Sequence, residues 1–149
     1  GLFHEGMPKK PIIFCSVMLQ RTETLTGFMD RMKDHNTKCD DKCDTAVFYS
    51  VNSPWNIGRA GWFLKSVMQL YLSSAGNVIT FSPIPLLRDR IPTGPISRET
   101  VYEHLTNECP VYKFHTQNGA RLHDILEHAD TSKIGTSNSY GWQASYKYR

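Results

Sequence analysis

The chain has 149 residues, of which 40 % are hydrophobic and 21 % charged, a length and balance that fit one globular domain and exclude a disordered chain. Its net charge of +3 is spread among acids, so it lacks the basic stripe of a nucleic-acid binder and is compatible with a small anionic ligand such as a phosphate-bearing cofactor. No apolar run approaches the roughly 20 residues of a membrane-spanning helix, so neither nucleic acid nor a membrane span is expected.

The opening residues, GLFHEGMPKKP, have the form of neither a signal peptide nor a transit peptide, and the closing YKYR carries no peroxisomal or ER-retention address. PIIFCSVML, Pro11 to Leu19, is short, apolar and rich in strand formers, so it reads as a buried strand. TETLTGFMDRMKDH fits a short helix with Thr22 or Thr24 at its N-cap. Asn36 to Asp44 is a hydrophilic loop, and TAVFYSV, Thr45 to Val51, reads as a second strand. Four cysteines occur, at Cys15, Cys39, Cys43 and Cys109. Cys39 and Cys43, with His35 nearby, lack the second matching pair that zinc needs, so they read as two surface thiols, with a disulfide left open.

NSPWNIGRAG is dense in turn formers, and the apolar spacing of Trp62, Phe63, Val67, Leu70 and Tyr71 predicts a helix from about Gly58 to about Ser73. Ala75-Gly76-Asn77 stops it and VITFS forms a third strand, completing a βαβ unit. LLRDRIPTGPIS reads as irregular. SRETVYEHLTN carries a capping pattern at Ser97 or Thr100 and reads as a helix. GARLHDILEHAD, through Leu122, Ile125 and Leu126, predicts another helix, and SYGWQASYKYR alternates as a final strand. The class is mixed α/β in a single domain over residues 1–149.

Three features carry chemistry. The glycine loop WNIGRAGW enters a helix, where backbone N–H groups and the helix dipole favour a pyrophosphate, with Gly58 and Gly61 permitting close approach and Arg59 and Lys65 adding charge. It matches neither the Rossmann nor the Walker A spacing, and a tight strand-to-helix turn needs glycine in any case. Ser82 stands where a strand ends before Pro83 and Pro85, at the kind of strand terminus where ligands collect in α/β sheets; a Ser-Pro turn is the alternative, and no G-x-S-x-G elbow marks a hydrolase nucleophile. His115, in VYKFHTQNGARL ahead of an Asn-Gly turn, is a histidine of ordinary near-neutral pKa that can serve as general acid or base. His35, His104, His123 and His128 sit on polar or helical stretches and read as surface or packed residues, and His4 as terminal.

In order along the chain, VFYSV, IGRAGWFLKSVMQLY, ITFSPIP, FHTQNGARL and ADTSKIGTSNSYGWQASYKYR resemble the catalytic domain of malonyl-CoA decarboxylases over nearly the whole length. The Ser-Pro-Ile-Pro and Phe-His-x-x-Asn-Gly-Ala segments are the most specific parts. The resemblance implies a GNAT-like (acyl-CoA N-acyltransferase-like) mixed sheet flanked by helices, present in part, without the first strands and helices of the fold and without a helical N-terminal domain. It implies a lyase, a carboxy-lyase that converts malonyl-CoA to acetyl-CoA and CO2 in fatty acid metabolism with no metal or organic cofactor. CoA binding then falls on Asn56, Ile57, Gly58, Arg59, Ala60, Gly61 and Trp62. The catalytic pair falls on Ser82, which orients the carboxylate, and His115, which protonates the enolate carbon; Asn118 supports the imidazole, and backbone N–H groups near Val51 to Ser53 stabilise the oxyanion.

Two other readings stand beside this one: an inactive structural or accessory subunit of a larger assembly derived from the same family, and a GNAT-like decarboxylase or acyl-loading domain of a polyketide synthase. The expected partners are acyl-CoA and a second polypeptide that supplies the missing part of the fold or joins the chain to a larger assembly. The resemblance favours a mitochondrial over a cytoplasmic location.

Overall fold

The structure, a computed structural model, describes residues 1–21, 42–53, 60–93 and 95–148, with the side chains of Ser50, Val51 and Ala60 left aside. The helix expected over TETLTGFMDRMKDH and most of the hydrophilic loop after it lie outside the described residues.

The N-terminus is a hairpin. Strand β1 (Leu2–His4) turns through Gly6, whose N–H donates to His4 Nδ1 at 3.0 Å, into β2 (Met7–Gln20). This second strand begins earlier than the apolar run Pro11 to Leu19 indicated, because Met7–Pro11 is held by pairing with β1 and not by burial. β3 (Thr45–Asn52) follows, then α1 (Ala60–Ala75), β4 (Asn77–Pro83), the helical turn α2 (Leu87–Arg90), α3 (Arg98–Asn107), α4 (Pro110–Gln117), β5 (Ala120–Leu126), α5 (Lys133–Ser139) and β6 (Gln143–Tyr148). The strands form one six-stranded sheet in the order β1-β2-β3-β4-β6-β5.

The βαβ unit is present: β3 and β4 pair in parallel across α1, and the other pairings are antiparallel. Gly76, at φ 78°, ends α1 in the left-handed backbone that glycine adopts without strain. Ser97 caps α3, its hydroxyl accepting from the Thr100 N–H at 3.2 Å.

Three segments differ from their sequence signals. ARLHDIL is strand β5, not a helix. Its register with β6 shifts between Leu122 and Asp124, so that Leu122 pairs with Tyr146 and Ile125 with Ala144. The extra residue, His123, brings two apolar side chains three positions apart to one face, and the bulge thereby imitates a helical period. PVYKFHTQ is helix α4, opened by Pro110 at its first position, where the missing N–H costs nothing. Lys133–Ser139 forms α5, capped by Ser132, in a stretch whose small polar residues carry no apolar period.

Paired residues on neighbouring strands share a face. Ala46 and Phe48 of β3, Val78, Thr80 and Ser82 of β4, and Tyr148, Tyr146 and Ala144 of β6 therefore line one face of the sheet. Helix α1 covers the β3 side of it through Leu64, Met68 and Ala75. α3 and the start of α4 cover the β6 side through Val101, Leu105 and Cys109. Strand β4 runs beneath the seam between these two packing units. On the opposite face, Val47, Ile79 and Phe81 gather with Met18 and Leu126. Cys43 is disulfide-bonded, where the sequence favoured a free thiol, and Cys15 and Cys109 are free.

Candidate active site

The ladder between β3 and β4 pairs Thr45–Phe48 with Asn77–Thr80 and stops there, although β3 continues to Asn52 and β4 to Pro83. The two parallel strands part at their carboxyl ends, the edge at which ligands bind in open α/β sheets. Ser82 lies two residues past the last rung, and β4 ends at Pro83.

The last turn of α4 brings His115 over this point. Ser82 Oγ and His115 Nε2 are 2.8 Å apart, a hydrogen bond between residues 33 positions apart in the chain. The other ring nitrogen, Nδ1, lies 2.7 Å from the Tyr148 hydroxyl. The imidazole stacks on Tyr146, with ring centroids 4.2 Å apart and planes 16° apart, and Phe114 meets it edge-on. Ser82 and His115 are 7 % and 6 % exposed.

Burial governs the electrostatics here. Taking the imidazole out of water disfavours its charged form and lowers His115 from the ordinary 6.5 to about 4. The near-neutral titration expected from the sequence is therefore corrected: His115 is neutral at pH 7. Burial acts in the opposite sense on the Tyr148 and Tyr146 phenols, pushing both above the usual tyrosine range and keeping them protonated.

The proton inventory then orders the triad. Tyr148 sits in the core with Ala46, Phe48, Leu64 and Val78, and its hydroxyl bonds to His115 Nδ1. A phenol proton in that setting is satisfied by donation to Nδ1, whereas leaving it unpaired costs about 1–3 kcal/mol. Nε2 consequently carries the ring proton and donates to Ser82 Oγ, which leaves the serine's own proton available to another acceptor.

Asn118, expected to support the imidazole, is bonded elsewhere: its side-chain amide donates to the Phe114 carbonyl at 2.7 Å. The group at the second ring nitrogen is Tyr148, not Asn118. Asn118 instead lies against the first turn of α1, where a Cβ on Gly61 would come within 2.9 Å of its Oδ1. Gly61 thus lets α1 approach the end of α4. Trp62 is 64 % exposed beside it. Asn56, Ile57, Gly58 and Arg59 lie outside the described residues, and α1 begins at Ala60.

Sequence reasoning passed over Tyr146 and Tyr148 as site residues. Their spacing of two in ASYKY places both on one face of a strand, a signal that gains meaning only once β6 is known to lie beside β4. Among the described residues, no group of three or more His, Cys, Asp or Glu side chains is placed to hold a metal ion, and no helix is long and apolar enough to cross a membrane.

No protein-family model matches the chain, and no curated protein does. Solved structures do. Malonyl-CoA decarboxylase from Rhodopseudomonas palustris superposes with a TM-score of 0.71 at 20 % identity, over 99 % of this chain and 45 % of that one. The enzyme of the same name from Agrobacterium vitis gives a TM-score of 0.73 at 20 % identity, over 93 % of this chain and 47 % of that one. GphF, a GNAT-like decarboxylase in complex with isobutyryl-CoA, gives 0.65 at 17 % identity, over 99 % and 75 %.

The fold is accordingly GNAT-like, a mixed six-stranded α/β sheet with helices. Within that class the chain resembles the malonyl-CoA decarboxylases, and it spans about half the length of the two bacterial enzymes.

Proposed function

We propose that the chain binds an acyl-CoA and decarboxylates a malonyl thioester, releasing CO2 and leaving an acetyl thioester. The observation that carries this reading is the buried Ser82–His115 hydrogen bond, 2.8 Å long, at the parted carboxyl ends of β3 and β4. Its setting in a GNAT-like decarboxylase fold, with a neighbour in complex with isobutyryl-CoA, supports the choice of ligand.

Loss of CO2 converts the thioester to an enolate, so the site must hold the carboxylate, accommodate negative charge on the thioester oxygen and deliver a proton to carbon. Ser82 serves the first need: its hydroxyl donates to the carboxylate without adding negative charge. The backbone at Val51 to Ser53, just before α1, serves the second. His115 serves the third. It is neutral in the free protein; an entering carboxylate favours its protonated form by charge proximity, and the added proton is taken from water at Nδ1. The imidazolium Nε2–H then passes a proton, through Ser82 or directly, to the enolate carbon as the C–CO2 bond breaks. The neutral imidazole left behind is the form that burial prefers. Tyr148 stays bonded to Nδ1 by turning its hydroxyl: it donates to the bare nitrogen of the free protein and accepts from Nδ1–H once the ring is protonated.

CoA recognition falls on the residues leading into α1, from Asn56 to Trp62, with Gly61 at close approach. A second polypeptide and a mitochondrial location belong to the same proposal and rest on the resemblance. Recovery of the chain under native conditions, with mass spectrometry of whatever co-purifies and imaging of a tagged copy, tests both.

The decisive assay is incubation of the purified chain with malonyl-CoA, following acetyl-CoA and CO2 together. Equal release of both products supports the reading. Stoichiometric recovery of the chain in a large assembly that releases neither supports the structural-subunit reading. Release only when the malonyl group is borne on a carrier protein supports the polyketide-type reading.

A further inference from the structure

Thr80 occupies a position that the reaction above does not use. It is 3 % exposed, and its Oγ1 is buried with no hydrogen-bond partner in the protein. A hydroxyl held dry and unpaired costs stability, and valine would fill the same shape without that cost. Such a group points to a ligand atom as its partner.

The topology says which part of a ligand. Thr80 is the last β4 residue in the β3 ladder, paired with Phe48, and across β6 it pairs with Tyr146. Tyr146 is the ring on which His115 stacks. Thr80 and Ser82 are alternate residues of one strand, so they share the face beneath His115, about 6.6 Å apart along β4 at about 3.3 Å per residue. Two hydroxyls at that spacing can each donate a bond of about 2.6 Å to one oxygen of a single carboxylate. A plain acyl chain offers that pair nothing to accept.

We propose that Thr80 is a specificity-determining residue, its hydroxyl joining that of Ser82 to receive the carboxylate of a carboxylated acyl thioester and so distinguish it from an uncharged acyl group. This deepens the acyl-CoA decarboxylase reading and rests on it.

The test uses two thioether analogues that cannot decarboxylate for want of a thioester carbonyl: carboxyethyl-CoA, which keeps the carboxylate, and propyl-CoA, which replaces it with a methyl group. Both are titrated calorimetrically into the wild-type chain, Thr80→Val and Thr80→Ser. The wild type and Thr80→Ser are expected to favour carboxyethyl-CoA. Thr80→Val is expected to bind it about tenfold more weakly, the scale of one hydrogen bond to a charged group, with propyl-CoA affinity within twofold of wild type. Its melting temperature without ligand is expected to match or exceed that of the wild type, which separates loss of recognition from loss of fold. If Thr80→Val fails to fold, Thr80→Ala replaces it with the same expectations for binding. An unchanged preference in the variant, or an equal loss for both analogues, overturns the role of Thr80 while leaving the CoA reading intact. A wild type that binds neither analogue overturns both.

Discussion

His115 lies nearly parallel to the Tyr146 ring, with centroids 4.2 Å apart, and this contact fixes the plane in which its two nitrogens reach Ser82 and Tyr148. An imidazole held on one face and bonded at both nitrogens has its orientation set before any ligand arrives. Preorganisation of that kind is what proton delivery to a short-lived enolate demands.

Removing either end of the Ser82–His115 pair is expected to abolish most turnover. Ser82→Ala and His115→Asn should each lower kcat for malonyl-CoA by about a hundredfold or more, the usual scale for a positioned acid–base group. Steady-state kinetics on folded variants, verified by circular dichroism, checks this. Wild-type rates in either variant would remove the assignment.

Tyr148→Phe separates positioning from chemistry. The substitution keeps the ring and deletes only the hydroxyl at Nδ1, so the cost in folding is about 1–3 kcal/mol, that of leaving the buried nitrogen unpaired. A fall in kcat with KM nearly unchanged is expected, together with a mixed tautomer population in place of the single Nε2–H form. Imidazole 15N chemical shifts report the tautomer directly, a readout that a purely structural phenol would leave unmoved.

Stability is expected to depend on pH through His115. Its folded pKa of about 4 lies below the ordinary 6.5, so the unfolded chain takes up a proton first as pH falls. The contribution is fully present above about pH 6.5 and is lost progressively as pH drops toward 4, amounting to about 3 kcal/mol at 1.36 kcal/mol per unit. Urea unfolding of the wild type at pH 7, 5.5 and 4 should show that slope, and His115→Gln should flatten it.

Ser97→Ala tests a local reading that owes nothing to the site. Loss of the cap on the Thr100 N–H is expected to cost about 1 kcal/mol, read as a lower urea midpoint, with activity unchanged.

The sequence was most informative where a signal is local. The alternation in TAVFYSV and VITFS, the amphipathic run from Trp62 to Tyr71, and the capping pattern at Ser97 or Thr100 each depend on neighbours along the chain, and β3, α1, β4 and α3 follow them. The signal failed where a tertiary contact overrode the period. At ARLHDIL, pairing with β6 absorbs His123 as a bulge, and only the partner strand reveals that the three-residue apolar spacing belongs to a strand. At VYKFHTQ, Val, Tyr and Phe favour strands, but the segment is a helix opened by Pro110, and its packing sets the buried His115 against β4 and β6.

By itself, then, the sequence determined a mixed α/β chain with a βαβ unit, a hydroxyl at the end of its central strand and a histidine in a segment further along. Only the tertiary structure decided that Ser82 and His115 meet, that Tyr148 and not Asn118 holds the second nitrogen, and that the imidazole is neutral. The physical reason is that residue type and spacing set short-range preferences, whereas hydrogen-bond partners and desolvation arise from surfaces that are distant in sequence. The pKa of His115 is a property of the wall that α4, β4 and β6 build around it, and the residues adjacent to it in the chain do not by themselves carry that information.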